Sequence, residues 1–242
     1  MTTVRNQSSD SFCYICSKHE LELSLKTADG LLQSIMSATN SSHYYMFLSP
    51  SGNYYRHSVN EEYKGNRPPS PLLFLKEVKQ HLVDKHKGLI FDGLEADDLM
   101  GFANMNVKWD SGNVITCAID KDVKKTIPGP WFDYKKREWG ETTLEDASFF
   151  AHVQAIAGDS GDNIKGLPGI GPAKGSKILN AAGEGTYIEK VFKAYLEHHN
   201  YRIGPAVYDF QKNFRQVYIL RSKQDFINEV GYVPELPEPI NY

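Results

Sequence analysis

One stretch limits what this chain can fold into more than any other: Gly158-Asp-Ser-Gly-Asp-Asn-Ile-Lys-Gly-Leu-Pro-Gly-Ile-Gly-Pro-Ala-Lys-Gly-Ser-Lys-Ile-Leu179. Gly166, Gly169 and Gly171 allow a tight hairpin whose backbone amides face outward with no side chain in the way. Pro172 suits the first turn of a following helix, and the amides of that helix start, with Lys174 and Lys177, make a phosphate site. Such a device holds a nucleic-acid backbone without reading bases. A nucleotide-binding P-loop does not fit, because it needs a Gly-Lys-Ser/Thr order after a strand and Gly175-Ser176-Lys177 breaks that order. A plain structural loop does not call for so many glycines at turn positions.

Upstream, the apolar pattern alternates between two periods. Residues 12–16 (Phe-Cys-Tyr-Ile-Cys), 43–48, 88–91 and 114–119 are short apolar runs that predict strands, while 21–36, 72–85 and 95–103 carry apolar residues at helical spacing. Strands alternating with helices imply a mainly parallel sheet covered on both faces, with chemistry gathered at the carboxyl ends of its strands. After Thr142 the character becomes helical. Thr142 or Thr143 predicts a cap for a helix reaching Ala157, and helices continue to Ser222. Residues 233–242 hold three prolines and predict an extended wrap or a disordered end. The expected organisation is an α/β domain over 11–141, a helical DNA-binding region over 142–222 and a tail over 223–242.

Three acidic groups stand at strand ends or open the glycine-rich segment: Glu95-Ala-Asp97-Asp98, Asp120-Lys-Asp122 and Asp159-Ser-Gly-Asp162. Taken singly, each is as well explained by a turn or a helix cap, since Asp favours turns for its own reasons. Taken together they predict one cleft. Seven carboxylates in one cleft repel, at about 1 kcal/mol per pair near 4 Å even in bulk water, so cations must compensate. All-oxygen ligands favour Mg²⁺ or Mn²⁺ over zinc, and two such ions suit in-line hydrolysis of a phosphodiester.

Charge and cysteine content agree with this reading. The chain has 242 residues, 27 Lys and Arg against 30 Asp and Glu, and a formal net charge of −3, a balance that a clustered acidic site beside basic patches would produce. Cys13, Cys16 and Cys117 are an odd number in a chain too large to need disulfide staples, which fits a reducing compartment. Cys13 and Cys16 have the spacing of half a zinc site, but no second pair follows, and buried thiols are the better account. No apolar run is long enough for a membrane span, and the polar residues 1–10 lack a signal peptide's apolar stretch, so a soluble, cytoplasmic protein is expected.

The run from Gly158 to Gly171 resembles the helix-three-turn-helix signature of the 5′ nucleases: bacteriophage 5′-3′ exonucleases, the nuclease domain of bacterial DNA polymerase I, and flap endonucleases. Three further blocks are similar in the right order. Glu61-Glu-Tyr-Lys-Gly-Asn-Arg67 resembles the family's Tyr-Lys-x-x-Arg segment, Glu95-Ala-Asp-Asp98 its acidic helix start and Asp120-Lys-Asp122 its strand-end pair. The resemblance covers residues 44–222. It implies a PIN-like α/β nuclease domain with a helical DNA-binding element, acting as a 5′-3′ exonuclease and flap endonuclease. Glu95, Asp97 and Asp98 would serve a first metal, and Asp120, Asp122, Asp159 and Asp162 a second. Lys64, Arg67 and Arg56 would stabilise charge on the scissile phosphate. Lys165, Gly166, Gly169, Gly171, Lys174 and Lys177 would hold DNA, with K⁺ among the hairpin carbonyls. The implied partners are DNA with 5′ ends, flaps or junctions, and RNA–DNA hybrids. A monomer and a bacteriophage source, hence a bacterial host cytoplasm, are the expectation.

The chain departs from the family in two places. Relatives end their first two strands in Asp, where this chain offers Cys16 or Ser17, and then Ser49 or Ser51. Asp29 is a poor substitute, since it sits in a helical pattern away from a strand end. The alternative reading is therefore a branched-DNA-binding protein of the same fold that lacks a complete first metal site.

Overall fold

The protein is described from a computed structural model, over residues 10–52, 54–68, 72–106, 114–181 and 185–242, with side chains from residue 19 onward. The polar start and the side chains of Cys13 and Cys16 lie outside the described residues. The described helices are α1 (Asp10–Thr39), α2 (Tyr55–Val59), α3 (Leu75–His86), α4 (Ala96–Asn106), α5 (Lys121–Thr126), α6 (Leu144–Ala157), α7 (Pro172–Asn180), α8 (Tyr187–His198), α9 (Ile203–Val217) and α10 (Lys223–Val230). The described strands are β1 (His43–Tyr44), β2 (Thr116–Cys117), β3 (Gly129–Asp133), β4 (Glu138–Thr142), β5 (Gly158–Asp159), β6 (Ile164–Lys165) and β7 (Ile240–Asn241).

The chain divides into two compact units, one of residues 1–48, 70–89 and 238–242, the other of 49–69 and 90–237. In the first, α1 packs on α3 and buries Leu32 and Met36. β1 pairs antiparallel with β7, His43 opposite Asn241, so the end of the proline-bearing tail is an extended strand. Phe47 makes a parallel bridge with Leu89, which is what the predicted strands 43–48 and 88–91 become. The strand expected over 12–16 is not formed, because those residues lie inside the thirty-residue helix α1. A five-residue apolar run fits either period, and here it continues the helical spacing of the residues that follow it.

In the second unit, β2 pairs parallel with β3, and β3 pairs antiparallel with β4. Behind this mixed sheet a small core joins Ala118, Val123, Ile127 and Ile219. The larger core gathers Val153, Ala155 and Ile156 of α6 with Leu179, Val191, Tyr195, Ala206 and Val217 from α7, α8 and α9. Thr143 caps α6 as its sequence predicts, its hydroxyl accepting from the Asp146 amide at 3.0 Å. Polar bonds register the helices: Tyr195 Oη donates to the Ala155 carbonyl at 2.6 Å and receives a bond from Asn213 Nδ2 at 2.7 Å. Asn213 Nδ2 also donates to the Lys165 carbonyl at 2.8 Å, which fixes the glycine-rich segment to α9.

That segment begins with β5 and β6, paired with Gly158 opposite Lys165. A Cβ at Gly166 would stand 2.1 Å from the Ala157 carbonyl carbon, and one at Gly158, whose φ is +75°, 2.3 Å from the Gly166 amide. The two backbones meet at a distance only glycine permits.

Candidate active site

Tyr54, Arg56, Tyr63, Lys64, Arg67, Glu95, Asp97, Asp120, Asp122, Gln154, Asp159 and Asp162 line one open cleft in the second unit. Six of the seven carboxylates singled out in the sequence thus face common space. Each arrives by a local structural cause. Glu95 and Asp97 stand at and just inside the start of α4, where acids suit the helix dipole. Asp120 is the N-cap of α5, its Oδ1 accepting from the Asp122 amide at 2.8 Å, so the capping role and the place in the cleft coexist. Asp159 ends β5, and its Oδ1 takes the Gly161 amide at 2.7 Å, which turns the chain toward Asp162.

Asp98 does not reach the cleft. Its side chain is fully buried, and its oxygens accept from Arg56 Nη1 at 2.7 Å, Arg56 Nη2 at 2.8 Å and the Leu220 amide at 3.1 Å. Arg56 is engaged on every nitrogen: Nη1 also donates to Glu95 Oε2 at 2.9 Å, Nε to the Gln216 carbonyl at 2.9 Å and Nη2 to the Tyr218 carbonyl at 2.8 Å. Its neighbouring acids hold this guanidinium firmly protonated against its burial. Lys64 pairs with Glu95 and Arg67 with Asp162, and the Arg67 side chain is half exposed.

The Tyr-Lys-x-x-Arg segment and the loop of Asp159 and Asp162 are laced together. The Lys64 amide donates to the Asp162 carbonyl at 2.9 Å, Asn66 Nδ2 to the Ser160 carbonyl at 2.8 Å, and Asn163 Nδ2 to the Glu62 carbonyl at 2.8 Å. Tyr63 Oη lies 2.9 Å from Glu95 Oε2 and 3.1 Å from Asp162 Oδ2, a single hydroxyl between two acids. In the sequence, Tyr63 stood out only as part of the segment.

Gln154 gave no signal in the sequence, since one glutamine in an apolar helix has no chemistry of its own. In the structure its Nε2 donates to Asp122 Oδ1 at 3.0 Å and Asp159 Oδ2 at 3.3 Å, while its buried Oε1 has no hydrogen-bond partner among the described residues. Ser49, one of the two serines near the predicted second strand end, lines the cleft with its Oγ accepting from the Ala96 amide at 3.0 Å.

The electrostatics are those of a site short of positive charge. Burial raises the Asp97 carboxyl, and Glu95, Asp98 and Asp120 push it further, to about 7. Burial likewise raises Asp122, with Asp120, Asp159 and Asp162 adding to it, to about 6 against the pull of Lys121. Burial would raise Glu95 too, but Arg56 and Lys64 hold it below its ordinary value. A hard divalent cation fits this donor set, which is all carboxylate and unsatisfied amide oxygen with no imidazole or thiolate.

In the same unit, Pro172 occupies the first turn of α7 as predicted, and Lys165, Lys174 and Lys177 are exposed. Lys174 Nζ reaches the Gly169 carbonyl at 3.4 Å. Gly169 has a φ of +73°, in the left-handed region that favours glycine, whereas Gly171 is extended with nothing near its Cβ position.

No family model matches the chain. Among curated proteins, flap endonuclease Xni of Shewanella baltica strain OS223 is 30% identical over 126 residues, 48% of each chain. The protein of that name from Shewanella loihica is 27% identical over 161 residues, 61% of this chain and 62% of its own. The chain spans about half the length of the curated relatives it matches, 52% for the Shewanella baltica OS155 protein. Among solved structures, bacteriophage T5 5′-exonuclease with bound zinc superposes with a TM-score of 0.54 at 19% identity, over 80% of both chains. The T5 D15 flap endonuclease in complex with DNA and metal ions superposes at 0.50 and 20% identity, over 80% of this chain and 83% of its own. The fold is thus that of an α/β 5′ nuclease. Its similarity in sequence to the curated flap endonucleases extends over about half of the chain, and its similarity to the solved 5′ nucleases is one of fold. Among the described residues no helix is long and apolar enough to cross a membrane.

Proposed function

We propose that this chain is a structure-specific 5′-3′ exonuclease and flap endonuclease that hydrolyses DNA phosphodiesters at 5′ ends, flaps and junctions, with RNA–DNA hybrids as further substrates. The observation that carries the reading is the meeting of Glu95, Asp97, Asp120, Asp122, Asp159 and Asp162 with Lys64 and Arg67 in one cleft of the unit that bears the lysine-flanked hairpin. Glu95 and Asp97 would hold one Mg²⁺ or Mn²⁺, with Asp98 acting from beneath through Arg56. Asp120, Asp122, Asp159 and Asp162 would hold the other. Two bound divalent ions supply a lowered water pKa and neutralise charge on an in-line phosphoryl transition state.

The chain's own groups do the rest. Gln154 orients Asp122 and Asp159 by donating to both. Arg67 and Lys64 are the cations placed to receive a phosphate, and each exchanges an acid partner for it. Arg56, with Lys64, holds the carboxyl of Glu95 below its ordinary range against its burial. The amides at the start of α7, with Lys165, Lys174 and Lys177, hold duplex DNA by its phosphates, and the hairpin between Gly166 and Gly171 would take K⁺. The names of the sequence relatives favour the nuclease over a protein that only binds branched DNA.

The test is digestion of a 5′-labelled flap across a Mg²⁺ and Mn²⁺ series, beside Asp122→Ala. Cleavage that needs the ion and vanishes in the variant is expected. Absence of product at every ion concentration from a chain that still binds the flap would leave the binding-only reading standing.

A further inference from the structure

A second cluster of ligand-type side chains lies in the first unit and belongs to no feature of the nuclease reading. Asp29 of α1 points its Oδ1 at two imidazoles of α3, with His81 Nε2 at 2.8 Å and His86 Nε2 at 2.6 Å. Lys85 Nζ donates to Oδ2 at 2.6 Å. The three ligand atoms lie within 4.8 Å of one another. The site is open enough for an ion to enter, with side-chain exposures of 19%, 20% and 15% for Asp29, His81 and His86.

We propose that Asp29, His81 and His86 bind a transition-metal dication of the zinc class and thereby clip α1 to α3. The donor set decides the kind of ion. Two imidazole nitrogens and one carboxylate suit Zn²⁺, whereas the carboxylates of the cleft suit Mg²⁺ or Mn²⁺. The helix end supplies the geometry. His81 and His86 are five apart near the C-terminal end of α3, and both imidazoles reach the same Asp29 oxygen. Tetrahedral zinc with bonds near 2.0–2.1 Å separates its ligand atoms by about 3.3 Å. The two Asp29–imidazole spacings, 2.8 and 2.6 Å, would therefore open by about 0.5 and 0.7 Å, which small side-chain rotations supply. Lys85, whose side chain is 54% exposed, is free to swing into solvent as the ion takes its place. Three protein ligands leave the fourth position to water.

The experiment uses the full chain, stripped with a chelator and held in excess Mg²⁺ so that the hard-ion sites are filled. Co²⁺, then Zn²⁺, is titrated in. The proposal expects one equivalent of Co²⁺ with the visible absorption of a low-coordinate nitrogen-bearing site, its displacement by Zn²⁺, and a rise in Tm with Zn²⁺. His81→Ala with His86→Ala should abolish both signals, and Asp29→Asn should weaken Co²⁺ binding about tenfold or more. Asp120→Ala with Asp122→Ala should leave both signals in place. Should the double histidine variant lose its helical circular dichroism, His86→Gln alone serves, with the same tenfold loss expected. No absorption from the parent chain, or equal Co²⁺ affinity in the parent and in the folded histidine variant, overturns the proposal.

Discussion

The guanidinium of Arg56 straddles the carboxylate of Asp98, Nη1 2.7 Å from Oδ2 and Nη2 2.8 Å from Oδ1, with both side chains shut away from water. Two more acceptors on this guanidinium are backbone carbonyls of α9's end, so the pair ties α2, α4 and α9 together. A buried pair of this kind adds little over an apolar pair of the same shape, but losing one member strands the other's charge.

Arg56→Ala should therefore destabilise the protein by about 3–5 kcal/mol, because buried Asp98 would be left with no cation and Glu95 with Lys64 alone. Arg56→Lys should lie between, since an ammonium cannot reproduce the forked contact. Urea unfolding measures both. A loss below about 1 kcal/mol in Arg56→Ala would mean that water or another cation reaches Asp98.

Stability should depend on pH and divalent ions through the cleft. Asp97 and Asp122 have folded values raised to about 7 and about 6, above their unfolded range near 4. A raised folded value means that the contribution to stability is whole below the unfolded value and is lost as pH climbs through the folded one. In chelator, Tm should fall between about pH 4 and pH 7, and Mg²⁺ or Mn²⁺ should restore it, most at the alkaline end. Asp97→Asn should flatten the decline. A chelated protein whose Tm rises over that interval would contradict the crowding of acids.

Two glycines should be intolerant of a methyl group and a third indifferent. Gly158→Ala and Gly166→Ala place a Cβ 2.3 Å and 2.1 Å from backbone atoms, so each should lower stability by about 2 kcal/mol or more. Gly171→Ala has nothing within 4 Å and an extended φ of −91°, and should be neutral in thermal unfolding. Equal effects at all three positions would remove the close approach as the cause.

Lys174→Ala with Lys177→Ala should weaken flap binding alike across sequences. Each phosphate contact contributes about 0.9 to the slope of log affinity against log salt, so the double variant should shallow that slope by about 2. Fluorescence anisotropy over a salt series reads it. An unchanged slope would move the DNA away from the start of α7.

The sequence made some elements legible because local rules and tertiary packing agree. Thr143 caps α6 and Pro172 opens α7 where local chemistry places them. The acids of the cleft were legible by type and by place at helix starts and strand ends. The hairpin of β3 and β4 was not, because Pro130 breaks the look of the central strand β3 and the charged run from Lys135 to Glu138 leads into an outer strand that is mostly exposed. The first apolar run was misread as a strand, since five residues fit both periods and only the length of α1 decides. The burial of Arg56 was beyond reach for another reason. Its partners lie 39, 42 and 160 residues away in the chain, and a single arginine carries no mark of such distance.

The bonds from Asn66 and Arg67 to the loop of Ser160 and Gly161 span 94 residues, and that from Asn163 to Glu62 spans 101. One side of the acidic cavity is therefore absent until the glycine-rich segment has been synthesised. Closing so long a loop is slow compared with winding the helices on either side. A nascent chain stalled before residue 158 would carry Glu95, Asp120 and Asp122 but neither Asp159 nor Asp162.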